Sequence, residues 1–193
     1  MKEKIPCKEC RALILPSTTE KYGGLCMPCK NGYRKNIEQS KEHYKKERKL
    51  DATCPYRALW RDLVKRVYDS SKGFETLTED EKQYFAVGTL DGEVYNGGFV
   101  QYFDNTSGEY YRYSELGLMR IGAKESLRLL REAKLAAFGN NPVLKEQTKH
   151  WPHTNDEVAK MLDNLDSQYY ETKEDIGELL EAFACEAGMV KNA

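Results

Sequence analysis

Two adjacent glycines, Gly97 and Gly98, stand between an amphipathic helical pattern and a cluster of large side chains, in the stretch LDGEVYNGGFVQYFDNTSG from Leu90 to Gly108. Ahead of them, Tyr84, Val87, Leu90 and Val94 recur at offsets of three and four, one apolar stripe of an α-helix. Glycine takes positive φ without a Cβ clash and asparagine tolerates it, so Asn96-Gly97-Gly98 predicts a helix stop with a sharp change of direction. Phe99, Val100, Tyr102 and Phe103 follow at once. Four large residues in five positions directly after a double glycine predict a short buried helix packed close to its predecessor. Asp104 to Gly108 then supplies turn and capping chemistry.

The core formed by Asn96, Gly97, Gly98 and Phe99, with Gln101 and Tyr102 just behind it and Asn105 and Gly108 following, resembles the mark of the bacterial DNA-mimic-protein-like family. A second similar stretch is LDNLDSQYYETKEDIGELLEAF, from Leu162 to Phe183, and the two together span roughly residues 55 to 187. The resemblance implies an all-helical domain with no recognised catalytic residues. Such domains are found as protein-binding regulators that imitate the charge of DNA and as immunity components of bacterial toxin systems.

The first thirty residues are of another kind. Cys7-Lys8-Glu9-Cys10 and Cys26-Met27-Pro28-Cys29 are two Cys-x-x-Cys pairs separated by 15 residues, the spacing of a zinc ribbon. Two thiolates three positions apart on a tight turn reach one ion at about 2.3 Å, and two such turns complete a tetrahedral site. A redox dithiol or disulfides are the alternatives. Ala12 to Leu15 suits a short strand and Tyr22-Gly23-Gly24-Leu25 a turn. So short a segment cannot offset chain entropy with its own core, so zinc held by Cys7, Cys10, Cys26 and Cys29 is expected to supply the fold, contributing on the order of 10 kcal/mol.

The net charge of −1 conceals an asymmetry. Residues 1–50 hold thirteen Lys/Arg against six Asp/Glu, and the other 143 hold seventeen against twenty-five. Arg11, Lys21, Lys30, Arg34 and Lys35 are candidates for a phosphate-facing surface; the competing reading is a small accessory module whose lysines keep it soluble. No run of about twenty apolar residues exists, so no membrane span is expected. MKEKIPCKEC lacks the apolar core of a signal peptide, which leads us to expect a cytoplasmic chain with reduced thiols.

The chain is expected to divide into a ribbon over residues 1–32, a charged helical linker over 33–53 and an all-α domain over 54–193. Tyr33 to Leu50 has no Gly or Pro and is dominated by Lys and Glu, a solvated connecting helix. Pro55 then opens a helix whose stripe is Tyr56, Leu59, Trp60, Leu63, Val64 and Val67. Thr78 with Glu81 is a capping box for the helix running into Asn96. Tyr113, Leu116, Met119 and Ile121 mark one further helix. Leu127, Leu130, Ala133, Ala137 and Phe138 mark another, stopped at Gly139-Asn140-Asn141-Pro142. Cys54 and Cys185 fall outside the paired motifs and read as small apolar residues. The fold class is therefore mainly α: a small zinc ribbon plus a domain of five to seven helices.

Between residues 154 and 186 the chain is strongly acidic. Asp156, Glu157, Asp163, Asp166, Glu171, Glu174, Asp175, Glu178, Glu181 and Glu186 face only Lys160 and Lys173. Catalytic groups, by contrast, do not converge. His43 lies in the linker, His150 and His153 flank Trp151-Pro152, and no Ser or Cys nucleophile or phosphate-cradling loop has its motif. Asp91 and Glu93, two apart on a helix, point in different directions. The Asn96, Gln101 and Asn105 amides read as caps around the glycine break.

The chain is accordingly expected not to be an enzyme. It is expected to bind a basic protein surface, that of a toxin or a transcription factor, through Asp156, Glu157, Asp163, Asp166, Glu171, Glu174, Asp175, Glu178 and Glu181. The alternative is a zinc-ribbon regulator that binds nucleic acid through the basic N-terminal arm, with the helical domain serving regulation or homodimerisation.

Overall fold

Residues 3–143 and 156–190 are described by the computed structural model. The chain divides into two units, Met1–Cys54 and Pro55–Ala193.

In the first unit, strand β1 (Ile5–Pro6) pairs antiparallel with β2 (Leu13–Ile14), Ile5 opposite Ile14. The turn between them carries Cys7 and Cys10. Where the sequence suggested only a turn before the second cysteine pair, Pro16 opens a short helix, α1 (Pro16–Lys21), because its fixed φ and missing N–H suit the first helical position. Cys26 then precedes one helical turn, α2 (Met27–Lys30), again with proline near its start. Helix α3 (Arg34–Thr53) buries no residue, as its Lys/Glu composition demands, and it groups with the cysteine segment.

The second unit holds six α-helices among the described residues: α4 (Pro55–Asp69), α5 (Glu79–Asp104), α6 (Tyr111–Ile121), α7 (Lys124–Phe138), α8 (Asp156–Tyr170) and α9 (Ile176–Glu186). Turns of 3-10 helix, Gly73–Thr76 and Thr106–Tyr110, precede α5 and α6. The capping box forms as the sequence predicts: the Thr78 hydroxyl accepts from Glu81 N–H at 3.3 Å while Thr78 N–H donates to the Glu81 carboxylate at 2.8 Å.

Helix α5 is the centre of this unit; α6, α8 and α9 pack on it, and α7 packs on α6 and α8. Its buried side includes Phe85, Val87, Leu90, Val94, Phe99, Tyr102 and Phe103. Each such side chain contributes roughly 1.5–3 kcal/mol on burial. Rings cross from neighbouring helices: Phe99 meets Tyr169 edge-on at 5.7 Å, and Phe103 meets Phe138 at 5.1 Å.

Helix α6 buries only part of the face its large residues suggested: Tyr113 and Ile121 pack against the core. Leu116 and Met119 are exposed, and Ser114, Gly117 and Leu118 face the core. The reason is proximity to α5. A Cβ on Gly117 would lie 2.5 Å from the Val87 methyl and 3.0 Å from the Gln83 carbonyl, so only glycine fits that crossing. Ser114 donates to the Ala86 carbonyl at 3.0 Å and accepts from the Tyr102 hydroxyl at 3.0 Å, which satisfies both buried hydroxyls.

Candidate functional site

The two Cys-x-x-Cys pairs converge. The sulfurs of Cys7, Cys10, Cys26 and Cys29 all lie within 4.8 Å of one another, and Cys10 and Cys26 are 3.6 Å apart. A tetrahedron with 2.3 Å metal–sulfur bonds has edges of about 3.8 Å, so the cluster has the dimensions of a four-thiolate metal site. The hairpin turn presents the first pair and the start of α2 the second. A backbone hydrogen bond from Cys7 N–H to the Ala12 carbonyl (2.8 Å) closes the hairpin, and one from Lys8 N–H to the Gly24 carbonyl (3.0 Å) ties it to the segment that leads into Cys26. All four cysteines are free.

The surroundings favour thiolate at two of the four. Backbone amides of Cys10 and Cys26 directed at its sulfur hold the Cys7 thiol down at about 6. The Arg34 guanidinium, 3.2 Å from the sulfur, lowers Cys26. Cys29 is pushed up by burial and by the neighbouring sulfurs of Cys26 and Cys10. Arg34 is thereby removed from the phosphate-facing set proposed above: it serves Cys26 and pairs with Glu38 at 3.2 Å. Arg11, Lys21, Lys30 and Lys35 remain exposed.

At the glycine break, Gly97 has φ −166° and Gly98 has φ 76° and ψ −176°, so the helix ends and restarts. What the sequence did not foretell is the residue that seats the restart. Asp166 comes from α8 and accepts the Phe99 N–H at 2.7 Å, satisfying an amide that no preceding helical turn can reach. The Asn96, Gln101 and Asn105 amides are not the caps expected of them. Gln101 and Asn105 both donate to the Glu93 carboxylate, at 2.6 and 2.8 Å, and Asn96 is exposed.

The candidate partner-binding carboxylates separate into two groups. Asp166 is buried, and burial raises its pKa, opposed by the Phe99 amide; it does not belong to an exposed surface. Glu174 is half-buried and caps α7, accepting from Glu125 N–H, Ser126 N–H and the Ser126 hydroxyl, each at 2.8 Å. Asp175 caps α9 by accepting from Glu178 N–H at 2.9 Å, while staying exposed. Asp156, Glu157, Asp163, Glu171, Glu178 and Glu181 are exposed. Asp163, Glu171, Glu178 and Glu181 form no ion pair among the described residues. Carboxylates elsewhere do: Glu81 with Arg66, Glu75 with Lys82, Glu125 and Glu132 with Arg128, and Glu115 with Arg131. Asp91 and Glu93 diverge as expected, Asp91 accepting instead from the Tyr169 hydroxyl at 2.9 Å. His150 and His153 lie outside the described residues.

No described helix is long and apolar enough to cross a membrane. No curated protein and no solved structure matches the chain significantly. A family profile described as DMP19-like protein matches residues 75–187. The match begins later than the roughly 55 suggested by the sequence resemblance, at the 3-10 turn before α5, and it leaves out α4 and the cysteine unit. It contains the glycine break, the Asp166 cap and the whole of α5 to α9, more than half of the chain, which therefore belongs to the DMP19-like protein family.

Proposed function

We propose that this chain is a non-enzymatic binding protein whose acidic helical unit docks on the basic surface of another protein, as a toxin immunity protein or a DNA-mimicking regulator. The observation that carries this reading is the set of exposed carboxylates on and beside α8 and α9, namely Asp163, Glu171, Glu178 and Glu181, which have no cation against them among the described residues. Asp175, Glu178 and Glu181 recur every three residues, about 4.5 Å along a helix axis. That is of the same order as, though about a third longer than, the 3.4 Å axial spacing of charges along one DNA strand. Such a surface would steer a basic partner at long range, with an affinity that falls as salt rises.

The metal of the four-cysteine cluster is proposed to be zinc, since four soft sulfur donors with no hard ligand among them suit it best. Cys7, Cys10, Cys26 and Cys29 would hold it, and it would supply structure to a unit too small to have a core. The reading places the chain in the cytoplasm, where thiols remain reduced.

The test is affinity capture from the native cell with three forms of the full chain: wild type, a form with Asp163, Glu171, Glu178 and Glu181 changed to Lys, and a form with Lys21, Lys30 and Lys35 changed to Glu. Loss of a protein partner only in the first variant supports the reading. Loss only in the second, or recovery of nucleic acid, would transfer recognition to the basic arm.

A further inference from the structure

Beside the N-terminus of α9 is a pocket of about 320 Å³ whose lining includes Asp91, Tyr95, Lys173, Glu174 and Asp175. Three carboxylates and one lysine give this wall a formal charge of −2. Tyr95 is 58% exposed, and two rings brace it: Tyr170 lies against it at 5.5 Å, and Tyr169 meets it edge-on at 5.9 Å. Tyr170 is itself fixed by donating its hydroxyl to the Val94 carbonyl at 2.8 Å.

Two of the carboxylates are held in place and still have an acceptor to offer. Asp91 uses Oδ1 to accept from the buried Tyr169 hydroxyl, and Asp175 uses Oδ1 to accept from Glu178 N–H. Their second oxygens accept no hydrogen bond among the described residues. Lys173 lines the pocket without an ion pair among those residues. Burial raises the pKa of Asp91, opposed by the hydrogen bond from Tyr169, and the nearby charge of Asp175 adds to the rise.

An exposed aromatic face beside preorganised carboxylates is the complement of one side chain above others. We propose that this pocket receives an arginine of the protein partner, its guanidinium lying on the Tyr95 ring and donating to Asp91 and Asp175. Guanidinium is planar, stacks on aromatic rings and offers several donors in a fixed fork, whereas the lysine ammonium is a strongly hydrated point charge. Rigid tyrosines and arginines are also the residues that dominate binding energy at interfaces. The proposal rests on the acidic-surface reading above and gives it an anchor point.

The test uses the full chain and fluorescently labelled hexa-arginine and hexa-lysine peptides, with affinity read by anisotropy at physiological salt. Wild type is expected to bind hexa-arginine several-fold more tightly than hexa-lysine. Tyr95→Ala and Asp91→Asn should each weaken hexa-arginine about tenfold and erase the preference, with far-ultraviolet circular dichroism and melting temperature retained. Asp91→Asn keeps the side-chain shape and an oxygen for Tyr169, so it guards against a loss caused by unfolding. Charge reversal at Glu178 and Glu181 should weaken both peptides alike. If that reversal abolishes binding while Tyr95→Ala and Asp91→Asn leave hexa-arginine unaffected, the pocket is refuted and the acidic-surface reading stands. If wild type binds neither peptide, both fail.

Discussion

Substituting Gly98 by alanine tests how the two parts of α5 are joined. Gly98 sits at φ 76° and ψ −176°, a region in which only glycine is comfortable, so any Cβ there costs about 1–3 kcal/mol in backbone strain. That Cβ would also lie 2.1 Å from Asp166 Oδ2 and 2.6 Å from its carboxyl carbon. The carboxylate must therefore move, and the buried Phe99 N–H it accepts from at 2.7 Å loses its partner, a further 1–3 kcal/mol or so. The two effects together predict a loss of about 2–6 kcal/mol. For a unit of about 140 residues each kcal/mol corresponds to roughly 3 °C, so the melting temperature should fall by about 6–18 °C. Thermal unfolding followed at 222 nm measures it. The mechanism also predicts coupling: in an Asp166→Ala background there is no carboxylate to displace, and Gly98→Ala should cost only the strain, about 1–3 kcal/mol less than in wild type. A Gly98→Ala melt within about 2 °C of wild type, or an equal cost in both backgrounds, would refute the reasoning.

Metal analysis of protein purified without chelator should find one zinc per chain, and metal-free protein with intact cysteines would overturn the assignment. Arg34→Ala removes the guanidinium from Cys26 and should weaken zinc about tenfold in a chelator competition; unchanged affinity would make Arg34 merely a neighbour. Gly117→Val should cost at least about 2 kcal/mol by prising α6 from α5, read as a lower melting temperature. The last prediction concerns acid. Burial works against ionised Glu174, but the amides of Glu125 and Ser126 and the Ser126 hydroxyl outweigh it, so its pKa lies below the ordinary 4.5. A depressed folded-state pKa contributes stability that is fully present above about 4.5 and lost as pH falls through the lower value. Glu174→Gln should therefore flatten the loss of stability below about pH 4.5, and an unchanged pH profile would exclude Glu174 as its source.

Local signals made much of this protein legible. Two Cys-x-x-Cys pairs can meet around one ion whatever lies between them, since each pair is already arranged by a single turn. The Thr78–Glu81 cap spans three residues, and the stripe of Tyr84, Val87, Leu90 and Val94 follows from helical periodicity alone. The Gly97–Gly98 break needed nothing more than the backbone preference of glycine. Tertiary structure decided the matters that depend on distance between helices. The buried face of α6 is set by how closely it approaches α5, so small residues won over Leu116 and Met119, which hydrophobicity alone would have buried. It also decided which carboxylates are structural. Asp166, Glu174 and Asp175 look like their acidic neighbours in sequence. Asp166 and Glu174, however, reach backbone amides 67 and 48 residues away, whereas the cap that Asp175 makes at the start of α9 is local, three residues on. A carboxylate becomes a cap or a surface charge according to whether an unsatisfied N–H lies within about 3 Å, and for a long-range partner that is a property of the folded chain.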